Sequence, residues 1–129
     1  PASSASANEV VQAEKIYTVE DDGLTQNWYG NIWLNPPYSK DLLPKFADKF
    51  SESEFNQAIV FVHNATETKW FLKFVSRASA IVFLTGSVNC KTPRKNTCQS
   101  LQGEAFIYSG ENKEKFVEVF QKFGWKAWL

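Results

Sequence analysis

Asn35-Pro36-Pro37-Tyr38 is the segment of this chain best suited to chemistry. Two consecutive prolines hold the backbone stiff and carry no N–H, so the carbonyls at this corner face no competing amide. The Asn35 side-chain oxygen and the Pro36 carbonyl can then accept hydrogen bonds from one amino group. An exocyclic adenine or cytosine amine is a poor nucleophile, because its lone pair is delocalised into the ring. Two acceptors placed on its protons favour a pyramidal nitrogen and localise that pair, by positioning and fixed dipoles. Asn35 is no general base at neutral pH, so the amine proton must leave after the amine has reacted. Tyr38 offers a flat face on which a base extruded from a duplex can stack. The plain alternative is a proline-rich turn between a strand and a helix.

A second polar segment, His63-Asn64-Ala65-Thr66, follows the apolar run AIVFV at residues 58–62. His63 is the single histidine. It can line a pocket with Asn64, although a lone histidine is more often a hydrogen-bonded structural residue. Asn64-Ala65-Thr66 matches a glycosylation sequon, but nothing points to secretion. Trp70 and Phe71 could help hold a base, whereas their helical spacing favours core packing. Lys91, Arg94 and Lys95 form a basic cluster in an otherwise uncharged polar stretch, suited to phosphate contacts or base reading or to plain solvation. Cys90 and Cys98 bracket that stretch, either as free thiols or as a disulfide closing it. Two cysteines and one histidine are too few for a Cys/His zinc site, which needs about four ligands.

The elements that must position these residues alternate. Asn8 is expected to cap a short helix carrying Val10, Val11 and Glu14. Residues 18–31 are acidic and turn-rich, and Ile32-Trp33-Leu34 is a short strand stopped by the prolines. Ser39 or Asp41 caps a helix with Leu42, Leu43, Phe46 and Phe50 on one stripe, and Pro44 sits in its first turn, where it is tolerated. The runs AIVFV at 58–62 and AIVFL at 80–84 are apolar on both faces and predict buried parallel strands. Between them a helix over 67–77, with Thr66 as its cap, aligns Trp70, Phe71, Phe74, Val75 and Ala78. Residues 86–103 read as a long loop, 104–108 as a strand, 112–123 as a helix ended by Gly124, and 125–129 as a last short strand. The expected fold is therefore α/β with a mostly parallel sheet in one domain over 1–129,. Such sheets bind ligands beyond the carboxyl ends of their strands, where both polar segments fall.

Composition bounds the rest. Fourteen basic and fourteen acidic residues give no net charge, which argues against a binder that works by bulk positive charge. Apolar residues at 43% and aromatics at 16% can fill a core. No apolar run approaches the roughly 18–20 residues of a membrane span. The low cysteine count makes a reducing cytosol the default. The chain opens on Pro1 and contains no Met, and residues 1–8 are small and polar, so a fragment with an upstream piece missing is expected.

The motif NPPYS, preceded by DDGLTQNWYGNIWL and followed by FVHNATETKWF, resembles the phage-type (Dam-like) DNA N6-adenine methyltransferases. The likeness is close over residues 16–85 and looser up to the terminal phenylalanine-rich helix. It implies a Rossmann-like methyltransferase fold, S-adenosylmethionine as donor, adenine in double-stranded DNA as acceptor, and work in the cytoplasm of a bacterial host. Carried over by motif, Asn35, Pro36, Pro37 and Tyr38 form the catalytic and base-holding loop. Asp22 and Leu24 lie near the donor's adenine, with Asp21 an equally short reach away. Lys91, Arg94 and Lys95 become candidate DNA contacts. Family members carry an earlier strand with a donor-binding acid, which the resemblance places ahead of Pro1. They also tend to show Gly-Arg-hydrophobic where this chain has Gly86-Ser87-Val88. Within the class, cytosine N4, glutamine or a small amine are rival acceptors. Outside it, the rival is a catalytically inactive methyltransferase-like module that binds nucleic acid or a partner.

Overall fold

The computed structural model describes residues 5–18, 20–86, 89–90, 98–99 and 103–129. Seven strands and four α-helices follow one another along the described residues: α1 (Ala5–Val11), β1 (Asn31–Leu34), α2 (Leu42–Glu52), β2 (Gln57–His63), α3 (Lys69–Val75), β3 (Ala80–Leu84), β4 (Asn89–Cys90), β5 (Cys98–Gln99), β6 (Glu104–Ser109), α4 (Lys113–Phe120) and β7 (Gly124–Trp128). Short 3-10 turns precede β1 at Gly23–Thr25 and follow α4 at Gln121–Phe123.

Five strands make one sheet in the order β1-β2-β6-β3-β7. Only β1 and β2 pair in parallel, and the β2–β6, β6–β3 and β3–β7 pairings are antiparallel. The sheet is thus mixed and mostly antiparallel, which corrects the mostly parallel expectation. β2 and β3 lie inside the sheet with helices on its faces, which buries alternate residues of β2 fully and the rest in part, and buries Ala80, Ile81 and Val82 of β3. That covering, rather than strand direction, produces a run apolar on both sides. β6 returns from the long connection and wedges between β2 and β3. The directions of β1, β2 and β3 still agree, and their carboxyl ends share one edge of the sheet.

Period-two alternation divides the core. Leu34, Ala58, Val60, Val62, Ala105 and Ile107 face α2 and α3, where they meet Leu43, Ala47, Phe50, Phe71 and Phe74. Ala80, Val82 and Tyr108 face α4 and meet Phe116 and Val117. Phe50 and Phe74 are fully buried, with ring centroids 5.2 Å apart.

Several local expectations change. Ser39, not Asp41, caps α2: its hydroxyl accepts from Leu42 N at 2.9 Å, while Asp41 makes no side-chain cap bond. Leu42, expected on the buried stripe, is 38% exposed, and Ala47 takes the buried place. Asn8 lies within α1 and closes its far end, accepting from Ala13 N at 2.7 Å. Thr68 replaces Thr66 as the cap of α3, accepting from Phe71 N at 3.3 Å. Gly124 ends the helical stretch as expected, capping the 3-10 turn that follows α4, and also opens β7, where a Cβ would overlap the Phe83 carbonyl.

Candidate active site

The corner Asn35–Tyr38 leaves β1 at the carboxyl edge of the sheet and runs into the Ser39 cap of α2. Pro36 is buried beneath it, and Asn35 and Pro37 are exposed. The corner therefore stands at the rim, open to a ligand from outside. Of three cavities on the described residues, of about 410, 640 and 550 Å³, none takes in Asn35–Tyr38. The first lies between β1, β2 and α4, and the other two lie at the amino end of β1.

Tyr38 is the anchored member of the corner. Its ring stacks on the His63 imidazole with centroids 4.0 Å apart and planes 28° from parallel. Its hydroxyl donates to the Phe61 carbonyl at 3.4 Å, a long and weak bond,. The residue as a whole remains 43% exposed. Its partial burial, and then the charge of Glu104, push the phenol well above the ordinary tyrosine range,.

His63 ends β2 and stands directly opposite Glu104, the first residue of β6. Residues paired in this way share a face of the sheet, here the one covered farther along by α4. Glu104 is only 4% exposed. Neither its Oε1 nor His63 Nδ1 has a hydrogen-bond partner among the described residues. The next step along the chain is equally tight. Asn64 N donates to Gly103 O at 3.0 Å, and a Cβ on residue 103 would sit 2.8 Å from the Asn64 amide nitrogen. The motif Asn64-Ala65-Thr66-Glu67-Thr68 is a turn: Thr66 N bonds Asn64 O at 2.8 Å, and Thr68 bonds Ala65 O before capping α3. Trp70 packs edge-on to Phe71 and Phe74, at 6.0 and 6.3 Å, and belongs to the core.

Asp22 adopts a left-handed conformation, φ 51°, and its Oδ1 accepts from Leu24 N at 3.2 Å. Asp21 instead closes its own turn, its Oδ2 accepting from Thr18 N and Thr18 Oγ1, each at 2.8 Å. Those bonds hold its carboxyl below the usual range. Of the two acids, Asp22 keeps the less committed carboxylate. Lys91, Arg94 and Lys95 lie outside the described residues, so their expected DNA contacts have no placement. Within the connection that carries them, β4 and β5 pair antiparallel, with Cys90 opposite Cys98.

Sequence reasoning brought Asn35–Tyr38 and His63-Asn64 to one edge but missed Glu104. Its signal was faint: a charge at the head of the otherwise apolar strand EAFIY. No helix among the described residues is long and apolar enough to cross a membrane.

A family model described as DNA N-6-adenine-methyltransferase (Dam) matches residues 2–121. A protein of Haemophilus phage HP1 (strain HP1c1) named DNA N-6-adenine-methyltransferase is 37% identical over 79 residues, covering 59% of this chain and 45% of that relative. The chain thus spans about half the length of the curated relative it matches. No solved structure matches.

Proposed function

Because the chain belongs to the DNA N-6-adenine-methyltransferase (Dam) family, we propose that it carries the acceptor side of methyl transfer from S-adenosylmethionine to the N6 amine of adenine in double-stranded DNA. The observation that supports this most is the corner itself. Asn35 is exposed at the carboxyl rim of the sheet, on a diproline turn whose Tyr38 is stacked in place.

In this reading Asn35 Oδ1 and the Pro36 carbonyl accept the two protons of the adenine amine and hold its lone pair toward the incoming carbon. Buried Pro36 stiffens the turn, so the two acceptors need little reorganisation. Tyr38 presents the face away from His63 to the extruded base. S-adenosylmethionine, when bound, supplies an electrophilic methyl on a sulfonium sulfur. As the nitrogen–carbon bond forms, the sulfur–carbon bond breaks, and the amine proton passes to water at the open rim. Asp22 and Leu24 suit the donor's nucleoside edge, since an exposed carboxylate stands on a fixed turn beside a half-buried apolar side chain. Lys91, Arg94 and Lys95 supply phosphate or base contacts. β1, β2 and β3 bring their carboxyl ends to one edge, as a Rossmann-like methyltransferase core requires.

The test is transfer of labelled methyl from S-adenosylmethionine into unmethylated duplex DNA, followed by digestion to nucleosides. N6-methyladenine as the labelled product supports the proposal. Label on cytosine N4 shifts the acceptor, and DNA binding without transfer supports an inactive binding module.

A further inference from the structure

Tyr38 has two faces, and among the described residues an aromatic ring stacks on only one. That face is covered by the His63 imidazole at 4.0 Å between centroids. Behind that imidazole, across the β2–β6 pairing, stands a carboxylate that is 4% exposed. A buried carboxylate and a buried ring nitrogen, both unbonded to the described residues, are expensive to keep unless they serve each other or the site. A third such atom, Ser109 Oγ, lies at the other end of β6, whereas these two stand at the rim that carries the diproline corner. The local backbone is held there as well, by the Asn64–Gly103 contact one residue beyond His63 and one before Glu104.

We infer that His63 is a positioning residue: its imidazole backs the Tyr38 ring so that the ring's outer face is preset for an extruded adenine, and Glu104, buried opposite His63 in the β2–β6 register, supplies a negative charge behind that stack. This rests on the reading of the corner given above. It adds a third layer, so that base, phenol and imidazole form one stack. A preset platform spares the ordering of a free tyrosine side chain each time a base arrives.

The experiment has two arms. In the first, the full chain is labelled on its single histidine, which gives one imidazole signal by NMR. The Tyr38 ring should displace that signal upfield. Tyr38→Ala should return it downfield, and Glu104→Gln should move it as well. Tyr38 lies in the exposed loop, so its removal leaves the core intact. In the second arm, transfer to unmethylated duplex DNA is measured for His63→Ala, His63→Phe and Glu104→Gln. Loss of the backing ring should lower kcat about tenfold, as the loss of one stacking contact does, with KM for DNA nearly unchanged. His63→Phe restores a flat ring and should recover most of the rate. An imidazole signal indifferent to Tyr38→Ala overturns the inference, as does wild-type kcat in His63→Ala. Neither result touches the assignment of Asn35, which fails instead if Asn35→Ala transfers normally. The NMR arm needs no transfer and decides by itself if the chain transfers none.

Discussion

The Arg77 guanidinium lies 4.1 Å from the centre of the Phe55 ring. From there its Nη1 donates to the Phe50 carbonyl at 2.6 Å and the Ser53 carbonyl at 2.7 Å. Those carbonyls close the end of α2, where backbone acceptors otherwise go unpaired. One side chain therefore ties α3's exit to α2's exit and stacks on an aromatic ring. Arg77→Ala should destabilise the fold by about 2 kcal/mol, the range for hydrogen bonds to charged groups. Arg77→Lys should recover little, because an ammonium lacks the planar face that stacks on Phe55,. Thermal denaturation of both variants checks this.

Phe50 should matter more than any surface residue. It is fully buried and meets Phe55 and Phe74 at 5.1 and 5.2 Å. Phe50→Ala should cost about 3–5 kcal/mol. Leu72→Ala, at a position 64% exposed, should stay within about 0.5 kcal/mol. Urea midpoints of the two variants give the comparison directly.

The phenol and the ring of Tyr38 should separate in function. Its hydroxyl makes only the 3.4 Å bond to Phe61 O, whereas its ring is the proposed platform. Tyr38→Phe should keep methyl transfer within about threefold of wild type, and Tyr38→Ala should lose about 10- to 100-fold, the size of a base-stacking contact. Initial rates on unmethylated duplex DNA decide between them.

Tyr38 also sets an alkaline limit. Burial and then Glu104 raise its ionisation in the folded state, while in the unfolded chain it ionises at about 10. Below that pH both states hold the proton, and the stabilisation is fully present. Above it the unfolded state gives up the proton first, so stability falls as pH rises toward the folded value. Tyr38→Phe should flatten this alkaline limb in urea titrations run between about pH 9 and 11.

Much of the layout was legible from residue pattern. The strands at 31–34, 57–63 and 80–84 carry unbroken apolar runs, and the stop at Asn35 follows from two prolines with no donor to offer. The order of the sheet was not legible. The segment EAFIY looks the same whether it lies at an edge or between β2 and β3, because antiparallel insertion leaves no local mark. The same holds at the site. Asn35–Tyr38 announced itself by composition, and His63 by being alone. Glu104 takes its meaning only from the register that sets it opposite His63, a relation between residues 41 positions apart. Thr68 was overlooked as a cap because Thr66 fits the same pattern two residues earlier.

The central claim is that Asn35 and Pro36 hold the adenine amine. The most direct measurement is single-turnover methyl transfer to duplex DNA by the wild-type chain and by Asn35→Ala, with DNA affinity measured in parallel. Removal of one fixed polar contact from a reacting group predicts a rate loss of about 100- to 1000-fold, with affinity for DNA within a few-fold of wild type. Transfer to adenine N6 at the wild-type rate in Asn35→Ala would contradict the account.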